Sequence, residues 1–311
     1  MSTRSFSAAF LAGDPKAEAF LPRAYASVEG RRAAVQRARE RRAPPELGVA
    51  PGTVAVVTGQ QVGLFLGPLY SVYKAATAVA CARALQQETG VPCVPVFWLQ
   101  TEDHDFEEID HVTVLDRRIQ VPVKAPPRTS VKHAVLGEEI AEAVKQLPAP
   151  EPWAAHYRPG ATWTRAFTGV MKSLFPDLVF VDPTEHVKAA APVHARALAE
   201  AGRISELLLE RNRQLEAAGF EVQVHVKPGA PLSFFHPEGA KGPRHRLTGA
   251  EAGLSPEQTP DRFSTSALLR PLLQDTLLPT AAIVGGPGEL NYFAQLAPLY
   301  ALYGVPMPML V

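Results

Sequence analysis

Apolar residues along this chain follow two rhythms: short unbroken runs, and longer stretches where they recur every third or fourth position. VAVVTG, residues 54 to 59, is a β-branched run closed by glycine. It reads as a buried strand, because a strand covered on both faces shows no alternation. From about Pro68, LYSVYKAATAVACARALQQETG carries proline near its first turn, an alanine-rich interior and Gly90 past its end. That predicts a helix of about five turns. VPCVPVFWL, residues 91 to 99, reads as a second buried strand, although Pro92 and Pro95 are poor strand residues. Strand, helix and strand make a βαβ unit, whose strands should be parallel and whose crossover should be right-handed.

Further along, HVTVLD and DLVFVDP read as strands, Glu138 to Lys145 as a helix, and Ala189 to Ala217 as helix with its charges outward. VPVKAPPRTSVKHAVL is proline-punctuated extended chain. Alternation from Phe220 to Gly239 predicts antiparallel strands, and Ala240 to Asp261, rich in Gly, Pro and charge, is expected to be a mobile surface loop. The end of the chain returns to βαβ order. A helix in LLRPLLQDT, a strand at Thr280 to Val284, a glycine-rich turn and a second helix lead to a strand at Pro306 to Val311. The first part, residues 1 to 48, reads as helical up to Pro44 and Pro45. The whole predicts an α/β fold on an open, mostly parallel sheet. Its divisions are a helical segment at 1–48, the first half of the core at 49–115, connecting segments with further core elements at 116–262, and the second half at 263–311.

Composition narrows the function. With 311 residues, 46% of them hydrophobic and 20% charged, the chain can bury a large core. Thirty-one basic residues balance thirty-one acidic ones, so no global positive field draws it to nucleic acid or an anionic membrane. Gly13, Asp14, Pro15 and Lys16 interrupt any leader-like apolar run, and no run approaches a bilayer span, so a cytoplasmic protein is expected. Cys81 and Cys93 have no partner pattern for zinc or a disulfide framework and are expected to be reduced, packed thiols.

In open parallel sheets the ligand crevice lies beyond the carboxyl ends of the strands, and three loops have that placement. In TGQQVGLFLGP, residues 58 to 68, Gly59, Gly63 and Gly67 would let backbone approach a ligand while Gln60 and Gln61 offer amides. A phosphate or carboxylate suits a helix N-terminus there; tight turns and close packing are the plainer explanation of the glycines. The spacing matches neither a dinucleotide fingerprint nor a Walker loop. QTEDHDFEEID, residues 100 to 110, crowds Glu102, Asp103, His104 and Asp105 at a strand end. His104 could act as acid or base, with Asp103 and Asp105 orienting it or gripping an amine or magnesium; a solvated acidic turn is the alternative. His104, Glu108 and His111 have metal-ligand spacing on a helix, but HVTVLD turns to strand there, which argues against zinc.

The third loop is GGPGELNYF, with Gly285, Gly286 and Gly288 ahead of a helix that opens with Glu289; Asn291 and Tyr292 could add hydrogen bonds. Upstream, Arg270, Gln274 and Asp275 sit in apolar surroundings, as either a buried ion pair or a ligand clamp. Lys74, two turns into its helix beside Tyr70 and Tyr73, either reaches back to the crevice or snorkels to solvent.

TGQQVGLFLGPLYSVYKA, PVFWLQTEDHDFEEIDHV, YRPG followed by a helix, and LLRPLLQDTLLPTAAIVGGPGELNYFAQLAPLY together resemble the bacillithiol biosynthesis cysteine-adding enzyme family, BshC, across residues 53 to 311. The resemblance implies a Rossmann-like core with inserted connecting segments, similar in plan to class I aminoacyl-tRNA synthetases and nucleotidylyl-transferases. It implies a reaction that joins cysteine to glucosaminyl-malate by an amide bond, with ATP as the activating cofactor and magnesium as a candidate ion. On that reading Gln60, Gln61 and Gly63 cradle phosphates or malate carboxylates, Asp103 and His104 bind or deprotonate the amine, and Arg270 holds a carboxylate. It also implies a homodimer built by a helical coiled coil that family members carry beyond PMPMLV, where this sequence stops. Two alternatives stand beside it: a non-catalytic protein that holds an anionic metabolite, and a nucleotidyltransferase of other specificity.

Overall fold

The computed structural model describes residues 4–247 and 253–311. β1, Val54–Gln60, is buried at every position but the last. Its alternate residues feed opposite faces of the sheet: Ala55 and Val57 join one apolar cluster, Val54 and Val56 another. β2, Cys93–Leu99, runs parallel to β1 with Val54 opposite Cys93 and Gln60 opposite Leu99. The helix Tyr70–Thr89 connects them and ends at Gly90, whose φ of 71° is the left-handed conformation that closes a helix. It buries Ser71, Lys74, Ala75, Ala78, Val79, Ala82 and Leu85, a stripe of mostly small residues that settles close to the sheet. Pro95 is tolerated because pairing on its far side begins only at Val96, opposite Val179.

Two more segments pair outside the sheet before it is completed. β3, His111–Val114, is a strand as expected, but it pairs only with β4, Arg117–Gln120, in a separate antiparallel hairpin. The two-residue turn at Leu115 and Asp116 has φ of 47° and 64°, the twist that two-residue hairpins need. β5, Val179–Val181, then adds to β2. β6, Ser233–Phe235, β7, His245–Arg246, and β8, Phe263–Thr265, form a small antiparallel sheet in the order β7-β6-β8. β9, Thr280–Ile283, and β10, Met309–Leu310, complete the main sheet, whose order is β10-β9-β1-β2-β5 with every pair parallel. The chain thus starts in the middle, winds to one edge, returns, and winds to the other. That is a Rossmann-like doubly wound plan, with its switch point between β1 and β9.

Two expectations need correcting. Of Phe220 to Gly239, only Ser233–Phe235 is strand. Val222, Val224 and Val226 do alternate into the core, but as irregular chain. A fully buried side-chain amide stands where a neighbouring strand would be: Gln295 accepts from the Val224 N–H at 3.0 Å and donates to its carbonyl at 2.9 Å. The stretch Ala240 to Asp261 is not simply surface loop, since it carries β7 and the buried Leu247; residues 248–252 of that prediction lie outside the described residues. The N-terminal region is helical as expected, with Phe6–Leu11, Pro15–Glu18 and Val28–Arg39. No helix among the described residues is long and apolar enough to cross a membrane.

Candidate functional site

A cleft of about 1040 Å³ opens over the switch point, at the carboxyl ends of β1, β2 and β9. Where neighbouring connections leave a parallel sheet toward opposite faces, such a crevice follows from topology alone. One part of its lining is the start of the helix Pro287–Tyr303 with Lys74 and Arg270; another carries Glu102, Asp103 and Arg244.

The helix wall is a network around one carboxylate. The Gly286 N–H donates to Glu289 Oε2 at 2.8 Å, and Lys74 Nζ lies 2.5 Å from the same oxygen. Lys74 also donates to the Gly59 carbonyl at 2.6 Å, and only 5% of the residue is exposed, so it reaches the crevice rather than snorkelling. Burial pulls its ammonium below the ordinary range and the Glu289 charge opposes this. Arg270 approaches Glu289 Oε1 at 3.6 Å and donates to the Tyr292 hydroxyl. Burial works against the Arg270 cation, yet the surrounding Tyr292 and Glu289 outweigh it and raise its pKa. Burial and Glu289 raise the Tyr70 phenol while a hydrogen bond with Gln60 opposes them, and its ring lies 5.7 Å from Lys74 Nζ.

Elsewhere in the lining, Asp103 is gripped from several sides. Gln61 donates to its Oδ2 at 2.8 Å, the His104 N–H to its Oδ1 at 2.7 Å, and Arg244 sits 3.3 Å from Oδ1. Burial would raise this carboxyl, but bonds from His104 and Gln61 and the Arg244 charge hold it well below the usual carboxylate range. Arg244 also donates to the Glu102 carbonyl and lies against His104 Nδ1, itself 3.3 Å from Asp103 Oδ1, and it lies 4.3 Å from the centre of the Phe234 ring. Glu102 Oε2 accepts from the Thr265 N–H at 3.0 Å and its hydroxyl at 2.7 Å; burial raises its pKa and these bonds oppose the rise. Glu108 lines the cleft too, and burial with the Asp105 and Asp103 charges raises its pKa.

The expected residues therefore divide. Gln60, Tyr70, Lys74, Glu102, Asp103, Arg270, Gly285, Gly286, Gly288, Glu289 and Tyr292 line the cleft. Gln61 and His104 stand behind Asp103 as its hydrogen-bond partners. Asp105 is exposed at the start of the short helix Phe106–Ile109, outside the cleft. Gln274 and Asp275 are not a ligand clamp with Arg270: Gln274 donates to Asp275 Oδ1 at 3.0 Å, Tyr300 donates to Oδ2 at 2.5 Å, and the group is packed inside. Asn291 is turned to the N-terminal segment, where its Oδ1 accepts from the Ser7 N–H at 2.8 Å. Gly59, Gly63 and Gly67 face their own chain rather than a ligand, since a Cβ on each would meet Trp98 O at 2.7 Å, Gly67 O at 1.8 Å and Val112 Cγ2 at 3.0 Å.

Sequence reasoning missed Arg244, Arg246 and His225 as cleft residues. Arg244 and Arg246 lie in a stretch rich in Gly and Pro and His225 in an alternating run that reads as strand, and nothing local in them points to a site. Among the described residues no three His, Cys, Asp or Glu side chains are disposed to hold a metal ion, and His111 pairs with Asp110 at 2.9 Å. Both cysteines are free and outside the cleft, and burial pushes each thiol up to about 11. They are poor nucleophiles at neutral pH.

An all-parallel, doubly wound sheet with a charged cleft over its switch point defines a Rossmann-like α/β protein. Residues 45–311 match the family described as bacillithiol biosynthesis BshC, N-terminal Rossmann-like domain. The chain belongs to the BshC family. It is 38% identical to a protein of Solibacter usitatus, over 80% of this chain and 52% of that one. It is 36% identical to one of Heliobacterium modesticaldum, over 83% and 54%, and 37% identical to one of Koribacter versatilis, over 83% and 54%. Each bears the name "Putative cysteine ligase BshC". The chain spans about half the length of the curated relatives it matches.

Proposed function

We propose that the cleft serves the cysteine-adding step of bacillithiol synthesis, an amide bond between the cysteine carboxyl and the amine of glucosaminyl-malate. The observation that carries this reading is the pairing of two unlike walls in one crevice. One presents a helix N-terminus with Lys74 and Arg270, donors that here hold the protein's own Glu289 carboxylate and so suit a phosphate or carboxylate that shares them; the other presents Glu102, Asp103 and Glu108, chemistry that suits an amine.

Hydroxide is a poor leaving group, so the carboxylate needs activation, and ATP is the natural agent. The residues present fit its phosphates: Gly286 and Gly288 leave open space beside the helix start, and Lys74 and Arg270 flank it. ATP, when bound, would supply the phosphoryl or adenylyl group that turns the carboxylate oxygen into a leaving group. Magnesium fits less well as an ion held by protein alone, because Glu102 Oε2 and both Asp103 oxygens are already engaged by Thr265, Gln61 and Arg244.

Asp103, held so firmly ionised, grips an ammonium better than it removes a proton. Arg244 and Asp103 both crowd His104 Nδ1, which makes that ring a positioning group beside Asp103. Glu108, raised above the ordinary range and open to the cleft, is the better acceptor for the proton the amine loses on attack. The test is bacillithiol formation from cysteine, glucosaminyl-malate, ATP and magnesium, followed by mass spectrometry of the labelled thiol. Glu108→Gln and Asp103→Asn should each lower the rate by about 10²-fold or more. No product from the unaltered protein, or undiminished rates in both variants, overturns the reading.

A further inference from the structure

A second hollow lies apart from the cleft, in the turn that precedes the helix Trp163–Leu174. It has a volume of about 380 Å³ and is lined by Ala155, His156, Arg158, Gly160, Ala161 and Arg165, with Pro159 between them. Two arginines and a histidine face it, and no carboxylate lines it. Among the described residues none of these three side chains has a hydrogen-bonding or ionic partner.

We propose that this hollow is a second anion site, built for a phosphate group and separate from the cleft. Two arginines line one hollow with no carboxylate between them, and the planar donors of guanidinium match phosphate oxygens in pairs. The helix that starts beside them, twelve residues long and capped by Thr162, adds the positive end of its dipole. The hollow is also held in shape. Between His156 and Arg158, Tyr157 is buried, donates to the Gly63 carbonyl at 3.3 Å, and sets its ring 4.7 Å from that of Phe65. His156 is seated over Gly169, where an added Cβ would fall 2.2 Å from Nδ1. A phosphate therefore meets donors whose backbone is already fixed, which lowers the ordering cost of binding.

The test is calorimetric titration at low ionic strength with inorganic phosphate, pyrophosphate and ATP in turn. It compares the unaltered protein with Arg158→Ala/Arg165→Ala and with the cleft variant Lys74→Met. Both arginines are exposed, so the double variant should melt at the same temperature. The expected result is a binding event that weakens at least tenfold in the double variant and persists in Lys74→Met. An event with inorganic phosphate marks a site for the free ion; one with ATP alone marks a site for an attached phosphate. Binding unchanged in the double variant, an event lost only in Lys74→Met, or no heat with any of the three at millimolar concentration overturns the proposal. None of these outcomes depends on cysteine ligation in the cleft.

Discussion

Two glycine-bearing loops leave the two central strands of the sheet side by side, and they use glycine for opposite ends. In the loop after β1 the missing side chains are filled by the protein itself: Gly59 lies against the Trp98 carbonyl and Gly63 against that of Gly67. In the loop after β9 they are left empty. A Cβ on Gly285 or Gly286 would come no closer than 3.4 Å to anything but neighbours in the chain, and one on Gly288 would meet nothing within 4 Å. The first loop spends its glycines on bringing the backbone together, the second on leaving room beside a helix start. Glycine count does not separate the two uses; what the absent Cβ would face does.

The contrast can be broken most forcefully at Gly63. Alanine there would put a carbon 1.8 Å from a backbone oxygen. Gly63→Ala should lose at least about 3 kcal/mol, the upper range of overpacking costs, measured by urea unfolding. Next comes the support beneath the second loop, where Tyr300 of one helix donates to Asp275 of another. Burial pushes the Asp275 carboxyl from its ordinary 3.8 up to about 6, with bonds from Tyr300 and Gln274 opposing the rise. The folded state therefore holds this proton more tightly than the unfolded one, and stability falls as pH rises through that interval. Unfolding from pH 4 to 7 should show the native protein losing roughly 2 kcal/mol relative to Asp275→Asn, which has no proton to lose. A flat difference would mean the carboxyl is not buried as described. The smallest effect is expected at Gly288. Gly288→Ala should change stability by less than about 1 kcal/mol, in the favourable direction, while weakening ATP binding several-fold by calorimetry.

Much of this architecture is legible in the chain because the signals are local. β1, the helix to Thr89 and β2 announce themselves through a β-branched run, an alanine stripe and a closing glycine. Pairing is another matter. HVTVLD makes a strand, but its partner is the charged RRIQ just beyond it rather than the main sheet. EVQVHV alternates because one side packs on the core, and its backbone needs are met by the buried Gln295 amide, 71 residues from Val224 in sequence. The site divides the same way. Asp103 and Glu289 stand at strand and helix ends, where sequence points to chemistry. Arg244 reaches Asp103 from 141 residues away, out of a stretch with no regular pattern, and only the fold brings it there. Asp275 and Asn291 carry suggestive chemistry but are spent on holding helices together.

The N-terminal helix Phe6–Leu11 bears on how this protein should be handled. Family resemblance begins at residue 45, and a domain boundary drawn from it would discard everything before. Yet Phe6 and Phe10 are each 1% exposed, the Phe6 ring lies 5.2 Å from that of Phe220, and Asn291 holds the Ser7 backbone from inside the helix that forms the cleft wall. A chain cut at the family boundary would bare an aromatic face and turn an interior seam into a sticky exterior. Trimming for crystallisation or expression should leave the first helix attached.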